Sequence, residues 1–127
     1  MAVTSDQDVN FNITQGDTFP LQFQYADVYE DDYGNEIVTP IDISGFNVLM
    51  EIKDKPGGRI LSARCTVGDG IEITDAVNGI IDITISPEKT RNFNYPRASY
   101  QIQATDQYGE KIPFIKGWFK VDAGTID

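Results

Sequence analysis

The sequence predicts an all-β fold, an antiparallel β-sandwich of about eight strands with one short helical turn. Apolar and polar residues alternate with a period of two along most of the chain, which is typical of half-buried strands. Turn signals recur at intervals of roughly ten residues, and no segment has the length of a crossover helix. A barrel satisfies the same pattern, but the clean alternation favours a sandwich.

The N-terminal residues differ from the rest in composition. Residues 1–8 contain little apolar material and predict a flexible N-terminal arm. A single β domain is expected over residues 9–127. Its first two strands are indicated by alternation at residues 9–13 and 19–25.

An acidic segment interrupts the strands in the first half of the chain. Residues 27–40 contain the turn sequence Tyr-Gly-Asn-Glu and predict a protruding loop or short hairpin. Residues 46–53 then return to alternation. The positions expected to form the core are Phe46, Val48, Ile81, Ile83, Ile102 and Phe119.

The second half of the chain contains a hairpin and the helix signal. Asn78-Gly79 joins two isoleucine-rich strands, and such a pair readily adopts the positive φ angles of a tight turn. Ser86-Pro87-Glu88 is a helix start, because Ser is a good N-cap and Pro suits the first helical position. One helical turn is therefore expected near residues 87–92.

The last predicted strands follow this turn, at residues 100–105 and 112–121. The alternation slips around Gly117, where a bulge would allow Phe114 and Phe119 both to face inward. Trp118 then points to the opposite face, either as an exposed interface anchor or beneath a loop.

Charge is distributed unevenly. The chain has 20 acidic and 10 basic residues, a formal net charge of −10. All of the net charge lies in residues 1–52, which contain acids but no Lys or Arg. Such a surface repels nucleic-acid phosphates, so no nucleic-acid partner is expected. It suits a basic protein or a divalent cation, or is a solvated acidic surface.

The composition also argues against several classes of function. The chain has no histidine and one cysteine, so neither imidazole chemistry nor an intrachain disulfide is possible. No apolar run approaches the roughly 18 residues of a membrane span, and no signal-peptide pattern is present. We expect a non-enzymatic protein with no catalytic residues, no cofactor and no membrane partner.

Two sets of residues are candidates for binding. The acidic segment could offer oxygen ligands to Ca²⁺, but it lacks EF-hand spacing, and the pattern favours a solvated hairpin tip. Its carboxylates are Asp27, Glu30, Asp31, Asp32 and Glu36. No other metal site is indicated. The arm, the acidic segment and the exposed aromatic positions supply the interface candidates Asp8, Tyr29, Tyr33, Tyr95, Tyr108 and Trp118.

The order of these features resembles a group of small bacteriophage structural proteins with an immunoglobulin-like β-sandwich. This group includes N-terminal domains of baseplate and receptor-binding-complex proteins. The likeness extends over residues 9–121, and its segments are ITQGDTF (13–19), PIDISGF (40–46), NGIIDITISPEKT (78–90), YQIQ (100–103) and GWFKV (117–121).

The resemblance implies a virion component, made in the bacterial host cytoplasm, in the tail, baseplate or fibre attachment region. Its implied partners are other phage structural proteins, with the chain present as a homo-oligomer or in multiple copies. Because the chain is short, we expect an adaptor or assembly role rather than direct receptor binding. Two alternatives stay open: a capsid decoration or head-fibre protein, and a carbohydrate-binding β-sandwich module that recognises a host glycan through exposed aromatic rings.

Overall fold

The computed structural model describes residues 2–4, 7–59 and 61–124. Strands make up 61% of it, and the described residues contain one short helix. The all-β class is therefore confirmed. In chain order the elements are β1 (Ala2–Val3), β2 (Gln7–Asp8), β3 (Phe11–Thr14), β4 (Phe19–Glu30), β5 (Glu36–Pro40), β6 (Asn47–Lys53), β7 (Leu61–Val67), β8 (Gly70–Asp75), β9 (Ile80–Ile85), α1 (Pro87–Thr90), β10 (Arg97–Thr105) and β11 (Lys111–Asp122).

The strands form one mixed sheet that is nearly closed into a barrel. Its order is β1-β4-β9-β8-β7-β6-β10-β11-β2, with β3 also paired to β11 and β5 to β4. Six of the described strand pairs are antiparallel: β4 with β5 and β9, β6 with β7 and β10, β8 with β9, and β10 with β11. In contrast, β1 runs parallel to β4, β7 to β8, and both β2 and β3 to β11. The sheet is thus mixed rather than antiparallel throughout. Three of these four parallel pairs arise because an N-terminal segment lies beside a strand that runs in the same direction, and the fourth is the short contact between β7 and β8.

The N-terminal segment predicted as an arm is attached to the sheet wherever it is described. Ala2–Val3 pairs with β4, and the Val3 side chain is only 1% exposed. Gln7–Asp8 pairs with β11. These short strands use the free donors and acceptors of edge strands, which a polar composition does not reveal. Residues 1, 5 and 6 of the expected arm lie outside the described residues, and the division into arm and domain stays a prediction.

Most of the predicted core is confirmed. Val48, Ile81, Ile83, Ile102 and Phe119 are each at most 1% exposed. Phe46 is only partly buried and packs against the core from its edge. It precedes β6 in a turn, where its backbone N–H donates to the Ile43 carbonyl at 3.0 Å, so it lies outside the sheet's inward-facing rows.

Aromatic rings fill one end of the core around Phe119. The ring centroid of Phe119 lies 4.8 Å from that of Tyr100 and 5.4 Å from those of Phe19 and Phe93. Phe11, on β3, closes the cluster at 6.0 Å from Phe119. Tilted and edge-on ring pairs at these separations add to the stabilisation from burial. The cluster joins the N-terminal segment to β10 and β11.

The bulge in β11 occurs earlier than the sequence suggested. Ile115 and Pro113 pair with consecutive residues of β10, which leaves Phe114 as the extra residue. Gly117 has a regular partner, so the prediction of a bulge there was wrong. Phe114 and Phe119 are nevertheless both buried, as the expected bulge required. The extra residue reverses the alternation of inward-facing and outward-facing side chains along β11, and it does so at Phe114, upstream of the predicted position.

The helical turn lies where the Ser-Pro-Glu signal indicated. Pro87 occupies the first turn of α1, and Ser86 has the extended backbone of a capping residue. Its side chain makes no capping hydrogen bond, whereas its carbonyl accepts from the Lys89 and Thr90 N–H groups at 3.0 Å. The turn ends within one helical repeat and places Thr90 in the interior.

Replacing Thr90 by valine should lower the free energy of unfolding by about 1–3 kcal/mol. The buried Thr90 hydroxyl donates to the Asp17 carbonyl at 2.8 Å and accepts from the Gly16 N–H at 3.0 Å. Valine keeps the shape but leaves both groups without this partner. Urea denaturation measures the loss, with Thr84→Val on the exposed side of β9 as the control. Equal effects of the two substitutions would contradict this role.

Candidate functional site

The outward-facing residues of β6, β10 and β11 form a continuous polar face. We call this surface the Trp118 face, and it consists of Glu51, Lys53, Arg97, Ser99, Gln101, Lys116, Trp118 and Lys120. Because side chains alternate along a strand, every second residue of each strand reaches this surface. The register aligns them in rows across the sheet, so residues distant in sequence become neighbours.

The first row across this face is a charged ladder. Gln101 lies between Glu51 on β6 and Lys116 on β11, and Lys116 is opposite Asp8 on β2. On the outer side the Arg64 guanidinium pairs with the Glu51 carboxylate at 3.0 Å. The pair is partly exposed, so its contribution to stability is small. Its effect on the surface is to neutralise one of the few acids of the face.

The next two rows surround the tryptophan. Trp118 is opposite Ser99, and its backbone N–H donates to the Asn10 side chain at 2.9 Å. Arg97, in the neighbouring row, is opposite Lys120. The Arg97 guanidinium lies 4.5 Å from the centroid of the Trp118 ring, a cation–π contact that orients both side chains.

Two open grooves flank Trp118. The first has a volume of about 560 Å³ and extends towards Lys53, Lys55 and Tyr100. The second has a volume of about 510 Å³ and extends towards Tyr95 and Lys120. Both include Asn10 and Trp118 in their walls. The partly buried ring is therefore a ridge between two depressions, a shape that accommodates side chains of a partner.

Tyr100 ties the N-terminal segment beneath this face. Its hydroxyl donates to the Val9 carbonyl, and the residue is 1% exposed. Burial, and after it the negative charge of Asp8, raises the pKa of the Tyr100 phenol above its usual value of 10.0. The ionised form is disfavoured because the apolar surroundings do not solvate the phenolate.

Because the pKa of the Tyr100 phenol is raised, we expect the free energy of unfolding to fall at alkaline pH. The unfolded chain releases the Tyr100 proton near pH 10, whereas the folded chain retains it to higher pH. The stabilisation is therefore complete below pH 10 and is lost as the pH rises further. Above pH 10 the free energy of unfolding should fall more steeply with pH in the wild type than in Tyr100→Phe, by at most about 1.4 kcal/mol per pH unit. Parallel slopes in urea titrations from pH 9 to pH 11.5 would contradict the assignment.

The acidic segment forms a projecting two-stranded ribbon. We call residues 26–40 the acidic hairpin: the end of β4 pairs with β5, from Ala26 opposite Pro40 to Glu30 opposite Glu36. Its turn is held by the Asp31 carboxylate, which accepts the backbone N–H groups of Tyr33 and Asn35, each at 2.9 Å. The hydrogen bond from the Asn35 backbone is the main cause that lowers the pKa of Asp31.

The carboxylates of this hairpin are not gathered into a cation cage. In the described part of the chain, no group of three or more Asp, Glu or Cys side chains is placed to hold a metal ion. Alternation along a ribbon sends successive side chains to opposite faces, which separates residues that are close in sequence. The residues considered for Ca²⁺ occupy both strands and the turn: Asp27, Glu30, Asp31, Asp32 and Glu36.

The predicted interface residues divide between three places. Asp8, Tyr95 and Trp118 line the grooves of the Trp118 face. Tyr29 and Tyr33 lie on the acidic hairpin and are 55% and 90% exposed. Tyr108 is 85% exposed in the turn between β10 and β11.

The sequence did not reveal the basic residues that meet on the Trp118 face. Lys116 and Lys120 flank Trp118 at the two-residue spacing of a strand, which is the only local signal for this arrangement. Lys53 and Arg97 come from other strands and reach the face through the register of β6, β10 and β11. Lys55 joins them from the loop after β6.

Comparison of the sequence with protein families and curated proteins finds no match. Among the residues that the structure describes, no helix is long and apolar enough to cross a membrane. A functional proposal for the chain therefore depends on its fold and on its two surfaces.

Proposed function

We propose that this chain is a non-enzymatic structural protein of a bacteriophage particle, a small adaptor or assembly component of the tail, baseplate or fibre attachment region. The observation that carries the proposal is the presence of two unlike surfaces on one small β domain. The Trp118 face is grooved and rich in Lys and Arg. The acidic hairpin projects from the sheet, and all of its charged residues are acidic. A protein that joins two neighbours needs two such surfaces.

The size of the molecule supports an adaptor role. Its accessible surface is 7556 Å². A standard protein interface uses about 800 Å² from each partner, roughly a tenth of this area. The surface is therefore large enough for one neighbour at the hairpin and another at the Trp118 face, which lie on different strands.

We further propose that the mixed sheet is an immunoglobulin-like sandwich. The strand order favours two layers, β4-β9-β8 and β7-β6-β10-β11-β3. Only two residue pairs, Thr66 with Gly70 and Val67 with Ile71, join β7 to β8, and they flank a tight turn. So short a contact is typical of the point where the chain passes from one layer of a sandwich to the other, rather than of two strands paired along their length.

The proposal is tested on particles purified from cells that produce the chain. We expect the chain to remain with the particles through density-gradient purification, where mass spectrometry detects it and labelled antibodies locate it by electron microscopy. Label at the tail end supports the adaptor role, whereas label spread over the head supports the decoration or head-fibre alternative. A chain absent from purified particles would overturn the proposal.

One observation favours a glycan-binding module as the second candidate. The partly buried Trp118 ring borders a groove that also contains Asn10 and Gln101, and aromatic rings beside amide side chains suit a sugar. Trp118→Ala would then abolish retention on a glycan column, with Tyr108→Ala as the control. Absence of any glycan that raises the melting temperature of the wild type would remove this candidate.

A further inference from the structure

We propose that the acidic hairpin of one copy of this chain docks on the Trp118 face of a second copy, in a head-to-tail contact. The inference deepens the proposed assembly function, on which it rests, because it names the partner of both surfaces. Four features of the structure carry it: the exposure of the hairpin, its charge, the composition of the face, and the presence of both in one chain.

The acidic hairpin exposes apolar side chains without cover. From Ala26 onwards, the described residues of β4 pair with β5 alone, so this part of the chain is a two-stranded ribbon. Such ribbons have little stability of their own in water and gain from packing on another element. Its exposed apolar and aromatic residues are Val28, Tyr29, Tyr33 and Val38, at 37%, 55%, 90% and 38%.

The negative charge of the hairpin favours a positively charged partner surface. Residues 26–40 contain five acids and no Lys or Arg. Glu30 lies directly opposite Glu36 at the end of the ribbon. Like charges in opposed positions destabilise a strand pair. A surface that brings ammonium or guanidinium groups to this pair would remove the repulsion.

The Trp118 face has the composition that such a ribbon needs. Its basic residues are Lys53, Arg97, Lys116 and Lys120, and Lys55 adds a further positive charge in the wall of the first groove. Of the three acids at the grooves, Glu51 already pairs with Arg64, Asp8 lies opposite Lys116 on the edge strand β2, and Asp122 is the last residue of β11. The Trp118 ring offers an aromatic surface for the tyrosines of the hairpin, and the grooves on either side provide depth.

The charge distribution along the chain selects a second copy as the partner. Every Lys and Arg lies at or after residue 53, whereas the hairpin lies before it. Each copy therefore presents both halves of a complementary pair, on different strands. A contact between unlike surfaces of identical chains is heterologous, and it continues from copy to copy into a ring or a filament. Repeated parts of a particle are built in this manner.

A charge-reversal experiment tests the contact. The hairpin variant is Glu30→Lys with Glu36→Lys, which keeps a like-charged pair in the ribbon. The face variant is Lys53→Glu with Lys120→Glu. A matched control, Glu72→Lys with Glu88→Lys, makes the same charge change as the hairpin variant at exposed positions of β8 and α1. Circular dichroism verifies that each variant folds, and light scattering after size exclusion measures the mass.

We expect the wild type and the control to exceed the 14.2 kDa mass of one chain, and each of the other variants alone to run as a monomer. An equimolar mixture of the hairpin and face variants should regain the wild-type mass, because at both of its junctions residues 30 and 36 again meet the opposite charge at residues 53 and 120. A wild type that stays monomeric at all concentrations, or association that survives in both variants, would overturn the inference.

The outcome separates this inference from the proposed function. A monomeric chain that is nevertheless found in purified particles would overturn the head-to-tail contact and leave the structural role intact. Charge-dependent association by a chain that is absent from particles would support the contact and overturn the structural role.

Discussion

Replacing Phe119 by alanine should lower the free energy of unfolding by about 3–5 kcal/mol. The Phe119 side chain is fully buried, and four aromatic rings pack against it. Alanine would leave a cavity among rings that belong to β3, β4, β10 and the loop after α1 and cannot all move inward together. Loss of the ring contacts adds to the cost of the cavity itself. The total free energy of unfolding of a small domain is about 5–15 kcal/mol, so the variant should be close to unfolding.

The measurement is urea denaturation followed by tryptophan fluorescence, because Trp118 is adjacent to the substituted residue. Tyr108→Ala is the control, since it removes a ring that is 85% exposed. We expect that change to remain within about 0.5 kcal/mol of the wild type. If Phe119→Ala cost less than about 1 kcal/mol, the aromatic cluster would not be part of the core.

Replacing Gly117 by alanine should lower the free energy of unfolding by about 3 kcal/mol. A β-carbon at Gly117 would overlap the Val9 carbonyl oxygen and lie 2.9 Å from Oδ1 of Asn10. The Val9 N–H donates to the Lys116 carbonyl at 2.9 Å, so the N-terminal segment is held against this part of β11. Alanine would push that segment away and break the hydrogen bond from the Tyr100 hydroxyl.

Hydrogen exchange distinguishes this effect from general destabilisation. Protection should be lost first at residues 9–14 of Gly117→Ala, while β6 and β9 keep theirs. Gly109→Ala is the matched control: its φ of +84° is strained for alanine, but no atom lies within 4 Å of the added carbon. We expect Gly109→Ala to lower the free energy of unfolding by about 1 kcal/mol. A larger loss in the control than in Gly117→Ala would show that the N-terminal segment does not lie against β11.

Local sequence patterns predicted the elements well where a single segment contains the whole signal. The Asn78-Gly79 turn joins β8 and β9, with Gly79 at a φ of +70°. The helix start at Ser86-Pro87 lies at α1. Alternation placed Ile83 and Ile102 in the core. Each of these follows from backbone preferences and burial within a few residues.

Local sequence patterns could not predict which distant segments come into contact. Gly117 is an example: its sequence context is that of a bulge, whereas its small size is required because Val9 crosses beside it. The Trp118 face is another, since its Lys and Arg residues come from β6, β10, β11 and a loop. The acidic residues considered as Ca²⁺ ligands show the reverse case, because residues close in sequence diverge on a ribbon.

The sequence by itself determined the all-β class, the position of the helical turn, most of the core and the acidic character of one hairpin. Each depends on composition or on a two-residue period that any strand must obey. Only the tertiary structure decided the mixed strand order, the attachment of the N-terminal residues and the meeting of basic side chains around Trp118. Strand pairing is a choice among many partners of similar local pattern, and the packing of the whole core makes that choice.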